Sequence, residues 1–153
     1  MKQDSKLYKN FARETSTGYL VNWAARLFAR SLEQRFGASS GPMPVFFALQ
    51  NGRALSQKEL ARLASVEQPT MAATLKRMER DGLIERRPVP ADRRSATISL
   101  TATGEAQART AFQAAIDVNR LVGECLGEAD EALFHAMLAR VIAALGQDGA
   151  AEK

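Results

Sequence analysis

Hydrophobic residues recur three and four positions apart over residues 17–36, which is the spacing of one face of an α-helix. Gly37 follows this segment, and glycine is common just past a helix end. The pattern predicts a helix over 17–36, then a loop rich in glycine and serine, then a short apolar helix over 44–51. The residues that share one face of this first helix are Leu20, Trp23, Ala24, Leu27 and Ser31.

A helix, a tight turn and a second helix are predicted next. Ser56 followed by Glu59 has the spacing of a capping box, which indicates that a helix begins here and runs over 56–63. The second helix is predicted over 67–80. Its first turn accommodates Pro69, because no intrahelical N–H is needed there.

Two short strands follow the helix pair. The segment 83–87 is predicted to be a strand, and the alternating segment 96–100 is its returning partner. Proline, aspartate and arginine residues between them indicate a turn-rich tip. We call this predicted hairpin, residues 83–100, the wing.

Two longer helices are predicted after the wing. Thr101 can cap a helix that runs to about residue 126, where Gly127 breaks it. A last helix over 130–146 carries a wide apolar stripe, and such a stripe needs a partner to cover it. A second subunit is one candidate.

Charge is distributed unevenly along the 153 residues. The net formal charge is +4: residues 1–52 and 53–101 each carry +4, whereas residues 102–153 carry −4. This asymmetry favours a polyanionic partner for the basic part of the fold.

Several classes of protein are not expected. No apolar run approaches the roughly 20 residues that span a membrane, and the polar start lacks a signal peptide, so a cytoplasmic protein is predicted. Cys125 and His135, each present once, predict neither a disulfide nor a metal site, and no cofactor is expected. Since no nucleophile–base pair and no phosphate-binding glycine loop is present, an enzyme is not expected.

The helix over 67–80 has two faces that suit DNA. Met71, Ala72, Leu75 and Met78 are predicted to face inward. Short polar residues near the start of the outer face would let the backbone approach the major groove, and the basic residues further along would neutralise phosphates. The DNA contacts expected from this helix are Gln68, Pro69, Thr70, Ala73, Thr74, Lys76 and Arg77, with Arg80 as a further phosphate contact.

The wing carries arginines suited to a narrow minor groove. We expect DNA contacts there from Arg86, Arg87, Asp92, Arg93 and Arg94, and we expect Asp92 to hold the guanidinium of Arg94. Successive strand residues point to opposite faces, so one of Arg86 and Arg87 can face away from DNA. The pattern does not choose between the two.

Over residues 17 to 145 the sequence resembles the MarR family of winged-helix regulators. The segments that carry the resemblance are LSQKELA (55–61), EQPT (67–70), MERDGLI (78–84), DRR (92–94) and LTATG (100–104). Ala72 and Ala73 stand where many members have a basic or hydroxyl residue. Some oxidant-sensing members carry a reactive cysteine near the N-terminus, and this chain has none there, so a redox switch of that type is not expected.

The resemblance implies an obligate homodimer that binds a pseudo-palindrome, usually as a repressor released by a small ligand or by oxidation. The fold class expected is mainly α (α+β). A single domain, 1–153, would contain a winged helix-turn-helix DNA-binding lobe at 42–101. Dimerisation helices at 1–37 and 102–146 would flank it.

A pocket for a phenolic or anionic effector could lie between the first helices and the lobe. Its candidate lining residues are Trp23, Arg26, Met43, Phe46 and Phe47, for each of which core or dimer packing is an equal alternative. Cys125 is interpreted as a small apolar interface residue. The alternative function is a winged-helix protein-interaction module without specific DNA binding, although its wing would tend to lack arginines.

Overall fold

The computed structural model describes residues 12–89 and 92–151, without the side chains of 89, 92–95 and 149–151. The predicted order of elements is confirmed. The elements are α1 (Thr17–Phe36), α2 (Met43–Leu49), α3 (Gln57–Leu63), α4 (Gln68–Arg80), β1 (Ile84–Val89), β2 (Asp92–Leu100), α5 (Ala102–Leu126) and α6 (Glu128–Ala151).

The chain forms two compact units, Met1–Ala114 and Ala115–Lys153, and the boundary falls inside α5. The first unit contains α1 to α4, the hairpin and the first half of α5. The second contains the end of α5 and all of α6, with Gly127 between them in the left-handed conformation at φ 77°. The predicted limits of the lobe, 42–101, and of the flanking dimerisation helices stay a prediction.

One apolar core holds the lobe together. α2 packs on α3 and β2, α3 packs on α4 and β2, and α4 packs on β1. Removing these side chains from water is the main driving force for the packing. The side chains that are almost completely buried here are Val45, Phe46, Leu49, Leu60, Leu75, Met78 and Ile98.

The wing is an antiparallel hairpin, and a residue from a third segment of the chain pairs with it near its base. Ile84 pairs with Leu100 and Arg86 with Ile98, and the register shifts between Pro88 and Val89. Leu55 forms an isolated bridge with Ile98, whose N–H donates to the Leu55 carbonyl at 2.8 Å. Both strands extend further towards the tip than the alternating pattern predicted.

The start of α5 closes on the base of the wing. Thr101 Oγ1 accepts from the N–H of Gly104 at 3.0 Å, as a capping residue does, and donates to the Gly82 carbonyl at 2.6 Å. A Cβ on Gly104 would lie 1.9 Å from the Leu83 carbonyl oxygen, so only glycine permits this approach.

Apolar side chains remain exposed outside the lobe. No residue of α1 is buried, although its predicted bounds and its C-terminal Gly37, at φ 73°, are confirmed. α6 is longer than predicted. Among the described residues, none of the helices combines the length and the hydropathy that a membrane span requires. The large apolar residues exposed on the end helices are Tyr19, Leu20, Val21, Trp23, Leu27, Phe28, Ile116, Leu121, Leu133, Met137, Ile142 and Leu145.

Candidate nucleic-acid interface

The helix pair α3–α4 is set up by local sequence signals. Ser56 Oγ accepts from the Glu59 N–H at 3.3 Å, and the Glu59 carboxylate accepts from Ser56 N–H at 2.8 Å, so the predicted capping box is confirmed. The Ser56 hydroxyl also lies 2.7 Å from Glu59 Oε2, to which it donates. This hydrogen bond, and after it the one from the Ser56 N–H, holds the pKa of Glu59 below its ordinary value. α3 therefore begins at a defined residue and presents α4 at a defined position.

The inner face of α4 is anchored in the lobe. Met71, Leu75 and Met78 are at most 2% exposed. The outer face is then fixed towards solvent by the packing of the inner one. Pro69, Thr70, Ala73, Lys76 and Arg77 are all exposed, as predicted. Gln68 is exposed too, and its side-chain oxygen accepts from Gln57 Nε2 at 3.3 Å, which joins the starts of α3 and α4.

Thr74 differs from its predicted position. Its side chain is buried at 9% exposure, and Arg77 Nη2 donates to its hydroxyl at 3.4 Å. An α-helix turns by about 100° per residue, which places Thr74 about 40° from Met78 around the axis. It therefore lies on the inner side of α4, and its assignment to the outer DNA-facing surface was wrong. Its hydroxyl supports Arg77.

The basic residues of α4 differ in what they contact. Arg80 forms two hydrogen bonds with the neighbouring Asp81 carboxylate, at 2.8 and 3.2 Å. This contact lowers the pKa of Asp81 and occupies much of the Arg80 guanidinium. Among the described residues, Lys76 and Arg77 have no carboxylate partner within salt-bridge distance, so both can meet an external anion.

The two arginines of β1 point to opposite faces of the wing. Arg86 lies on the same face as the buried Ile84, and its Nε donates to Glu79 of α4 at 3.1 Å. Arg87 lies on the other face and pairs with Glu85 at 2.6 Å, with 72% of its side chain exposed. The sequence left this choice open because alternation alone does not say which face meets the lobe.

The side chains of Asp92, Arg93 and Arg94 lie outside the described residues. Their DNA contacts and the pairing of Asp92 with Arg94 stay predictions. Sequence reasoning also missed Glu79 and Gln57. Glu79 is an exposed residue in the last turn of α4, seven positions before Arg86, so its charge and its closeness to the wing in sequence were signals that could have found it.

The five residues predicted for an effector pocket are spread over two helices. Met43 and Phe46 are buried in the lobe core, whereas Phe47 is 50% exposed and its ring lies 4.9 Å from that of Phe112. Trp23 and Arg26 are exposed on α1. A cavity of about 450 Å³ does exist in the first unit, but other residues line it: Leu49, Gln50, Asn51, Gly52, Leu100, Glu105, Ala108, Arg109 and Phe112. The predicted pocket stays a prediction.

Comparison with known proteins finds similarity in both sequence and fold. The profile of the MarR family matches residues 42–95, which cover α2 to the wing. The uncharacterized HTH-type transcriptional regulator YwoH of Bacillus subtilis (strain 168) is 33% identical over 88 residues, or 56% of this chain. The match spans 64% of that protein, somewhat less than two thirds of its length.

Solved structures share the fold over most of the chain. A mutant MarR from E. coli complexed with operator DNA has a TM-score of 0.77 and 21% identity, over 87% of this chain and 98% of that one. The PcaV transcriptional regulator from Streptomyces coelicolor, in complex with its natural ligand, has a TM-score of 0.78 and 22% identity, over 88% of this chain and 96% of that one. The family profile therefore matches the winged helix-turn-helix part of this chain, and the solved regulators share its fold.

Proposed function

We propose that this chain is a sequence-specific regulator of transcription that binds duplex DNA, with α4 in the major groove and the wing at the minor groove. The observation that carries the proposal is the outer face of α4. There, short exposed residues precede two exposed cations, Lys76 and Arg77, that have no carboxylate partner among the described residues. Two structural neighbours, CouR and a mutant MarR, were solved bound to DNA, which supports DNA as the partner.

The chemistry of this face suits a nucleic acid. Pro69, Thr70 and Ala73 are small, so the backbone of α4 can come close to base edges. Lys76 and Arg77 follow on the same exposed side and can neutralise phosphates on the groove wall. Thr74 holds Arg77 from the inner side, which limits the conformations that its guanidinium must lose on binding.

We further propose that the functional form is a homodimer built from the end helices. α1 buries no residue within its own chain, and Ile142 and Leu145 of α6 are 70% and 67% exposed. Exposed apolar helix faces of this kind are typical of a subunit interface. A two-fold dimer would present two copies of α4 to successive major grooves, about 34 Å apart, on a pseudo-palindrome.

A repressor role with release by a small effector completes the proposal. The neighbour PcaV was solved with its natural ligand, and a phenolic or anionic molecule is the class that we expect. An effector that binds better to a form unsuited to DNA lowers DNA affinity by shifting populations. Release of DNA by such a compound is the observation that would establish this part.

DNA binding is tested across a salt series with duplexes from the chain's own upstream region and with random duplex. The expected result is steep loss of affinity with salt and preference for one palindromic fragment. Arg77→Ala should weaken binding and reduce the salt slope by about one phosphate contact. Arg120→Ala is the matched control, since it also removes one cation but from a residue paired with Asp117 outside the lobe. Weak binding that is insensitive to salt would instead favour a protein-interaction module.

Dimerisation is tested by placing a charge on the exposed end helix. Ile142→Glu should leave the isolated chain folded but convert the dimer to monomer in sedimentation equilibrium, because burying a carboxylate in an apolar interface is costly. Leu63→Glu, at a leucine 46% exposed on α3, should stay dimeric. A wild-type chain that sediments as a monomer at micromolar concentration would contradict the proposed dimer.

A further inference from the structure

The ion pair between Glu79 and Arg86 differs from the others among the described residues. It joins the last turn of α4 to β1, two elements whose relative position the proposed DNA contacts require. The other four pairs join residues at most three positions apart, so they constrain only their own segment. The Arg86 side chain is 32% exposed, whereas the arginines of those four pairs are 65–72% exposed.

The contact leaves part of the guanidinium available. Arg86 donates through Nε to Glu79 Oε2 at 3.1 Å. An arginine has five N–H donors in a rigid fork, so the terminal nitrogens of Arg86 can still donate to another group. Because Arg86 pairs in register with the buried Ile98, its stem starts from a fixed point on the lobe-facing side of the wing.

The backbone around this pair is already held at one end. Gly82 N–H donates to the Glu79 carbonyl at 3.0 Å, and Leu83 N–H donates to the Met78 carbonyl at 2.8 Å. Thr101 closes on the same turn through the Gly82 carbonyl. These backbone hydrogen bonds fix the base of the wing at Gly82 and Leu83. The ion pair between Glu79 and Arg86 adds a side-chain link to α4 further along β1, towards the tip.

We propose that Glu79 is a positioning residue for DNA recognition: it aims the Arg86 guanidinium and fixes the wing against α4. The inference rests on the proposed DNA-binding function. A purely electrostatic effect of Glu79 and a positioning role predict changes of opposite sign in DNA affinity. A carboxylate near bound phosphates repels them, so electrostatics alone predicts that neutralising Glu79 raises affinity for every duplex. A positioning role predicts that affinity for the preferred duplex falls.

The test compares Glu79→Gln with Asp81→Asn. Each replaces one carboxylate by an amide of nearly the same shape, but the partner of Asp81 is its chain neighbour Arg80, so this control disturbs no link between elements. The probes are the upstream fragment that the wild-type protein retains at the highest salt and a random duplex of equal length. Thermal unfolding of each variant establishes that it is folded.

The expected result is a fall of about 3- to 10-fold in affinity of Glu79→Gln for the preferred fragment, the size of a charged hydrogen bond reduced by solvent screening. Its affinity for random duplex should hold or rise, so that the specificity ratio drops. Asp81→Asn should hold or gain affinity for both. In an Arg86→Ala background, Glu79→Gln should cause no further fall, because its partner is gone.

Two outcomes would contradict the positioning role of Glu79 without contradicting the proposed DNA-binding function. One is a rise in affinity of Glu79→Gln for the preferred fragment, and the other is an equal fall in the Arg86→Ala background. A wild-type protein that binds no duplex would instead contradict the proposed function, and the inference with it. The wild-type salt series therefore separates the two failures.

Discussion

α4 and α1 have similar spacing of apolar residues, but only α4 buries these residues in the folded chain. α4 buries Met71, Leu75 and Met78 within its own lobe, whereas α1, although seven residues longer, buries none. The difference is one of partners, because apolar periodicity shows that a helix has a face to cover but not which surface will cover it. The lobe covers α4, and the exposed face of α1 is left for another surface.

The local connections explain why α1 differs. α4 follows α3 after a four-residue turn, so the two helices must pack as neighbours. α1 ends at Gly37 and is joined to the next loop by polar contacts: the Glu33 carboxylate accepts from Ser40 N–H at 3.0 Å and from its hydroxyl at 2.9 Å. These hydrogen bonds, led by that from the backbone N–H, lower the pKa of Glu33. They fix the end of α1 without covering its apolar face.

The largest effect is expected from identical truncations in the two helices. Leu75→Ala removes a side chain with 0% exposure and should lower the free energy of unfolding by about 2–5 kcal/mol at any protein concentration. Leu27→Ala removes one that is 48% exposed in the single chain. Its effect should depend on protein concentration, because the proposed loss is in subunit association.

Urea unfolding at several protein concentrations checks this pair of truncations. The midpoint of Leu75→Ala should shift downward by a similar amount at each concentration. That of Leu27→Ala should approach the midpoint of a dissociated wild-type chain as the protein is diluted. An equal and concentration-independent loss in both variants would mean that α1 is covered within its own chain.

A smaller effect is expected where α5 closes on the wing. Gly104→Ala places a methyl group against the Leu83 carbonyl oxygen and should cost about 1–3 kcal/mol, because backbone must move. Gly146→Ala in α6 is the matched control, since no atom lies within 4 Å of its added Cβ. That variant should hold or gain helix stability, by up to about 1 kcal/mol. Thermal unfolding of both variants measures the contrast, and a neutral Gly104→Ala would contradict the close approach.

The smallest effect is a dependence on pH from the capping box of α3. The pKa of Glu59 is lowered in the folded chain, so its contribution to stability is present above the ordinary glutamate pKa of about 4.3 and is lost as pH falls through the folded value. The stability difference between wild type and Glu59→Gln should therefore shrink as pH falls from about 6 to about 3. Glu124→Gln, at an exposed residue of α5, is the control. A difference that grows on acidification would contradict the capping geometry.

Much of the fold and part of the candidate interface could be predicted from the sequence. The capping box at Ser56 and the left-handed Gly37 depend on residues a few positions apart, and both are confirmed. The prediction that a residue lies on the outer face of α4 is confirmed for Pro69 and Arg77 but was wrong for Thr74. A hydroxyl residue at the edge of an apolar stripe can lie on either side of that edge.

The sequence alone determined the order of the helices and strands and some of their ends, such as the start of α3 after Ser56 and the end of α1 before Gly37, because caps, turns and periodicity act over a few neighbouring residues. Only the tertiary structure decided that Arg86, and not Arg87, faces α4. Strand alternation requires the two to point apart, but the burial of Ile84 in the lobe selects which one turns inward. The pairing of Arg86 with Glu79 follows from that choice, since it joins side chains that approach only when α4 and β1 pack on the same core.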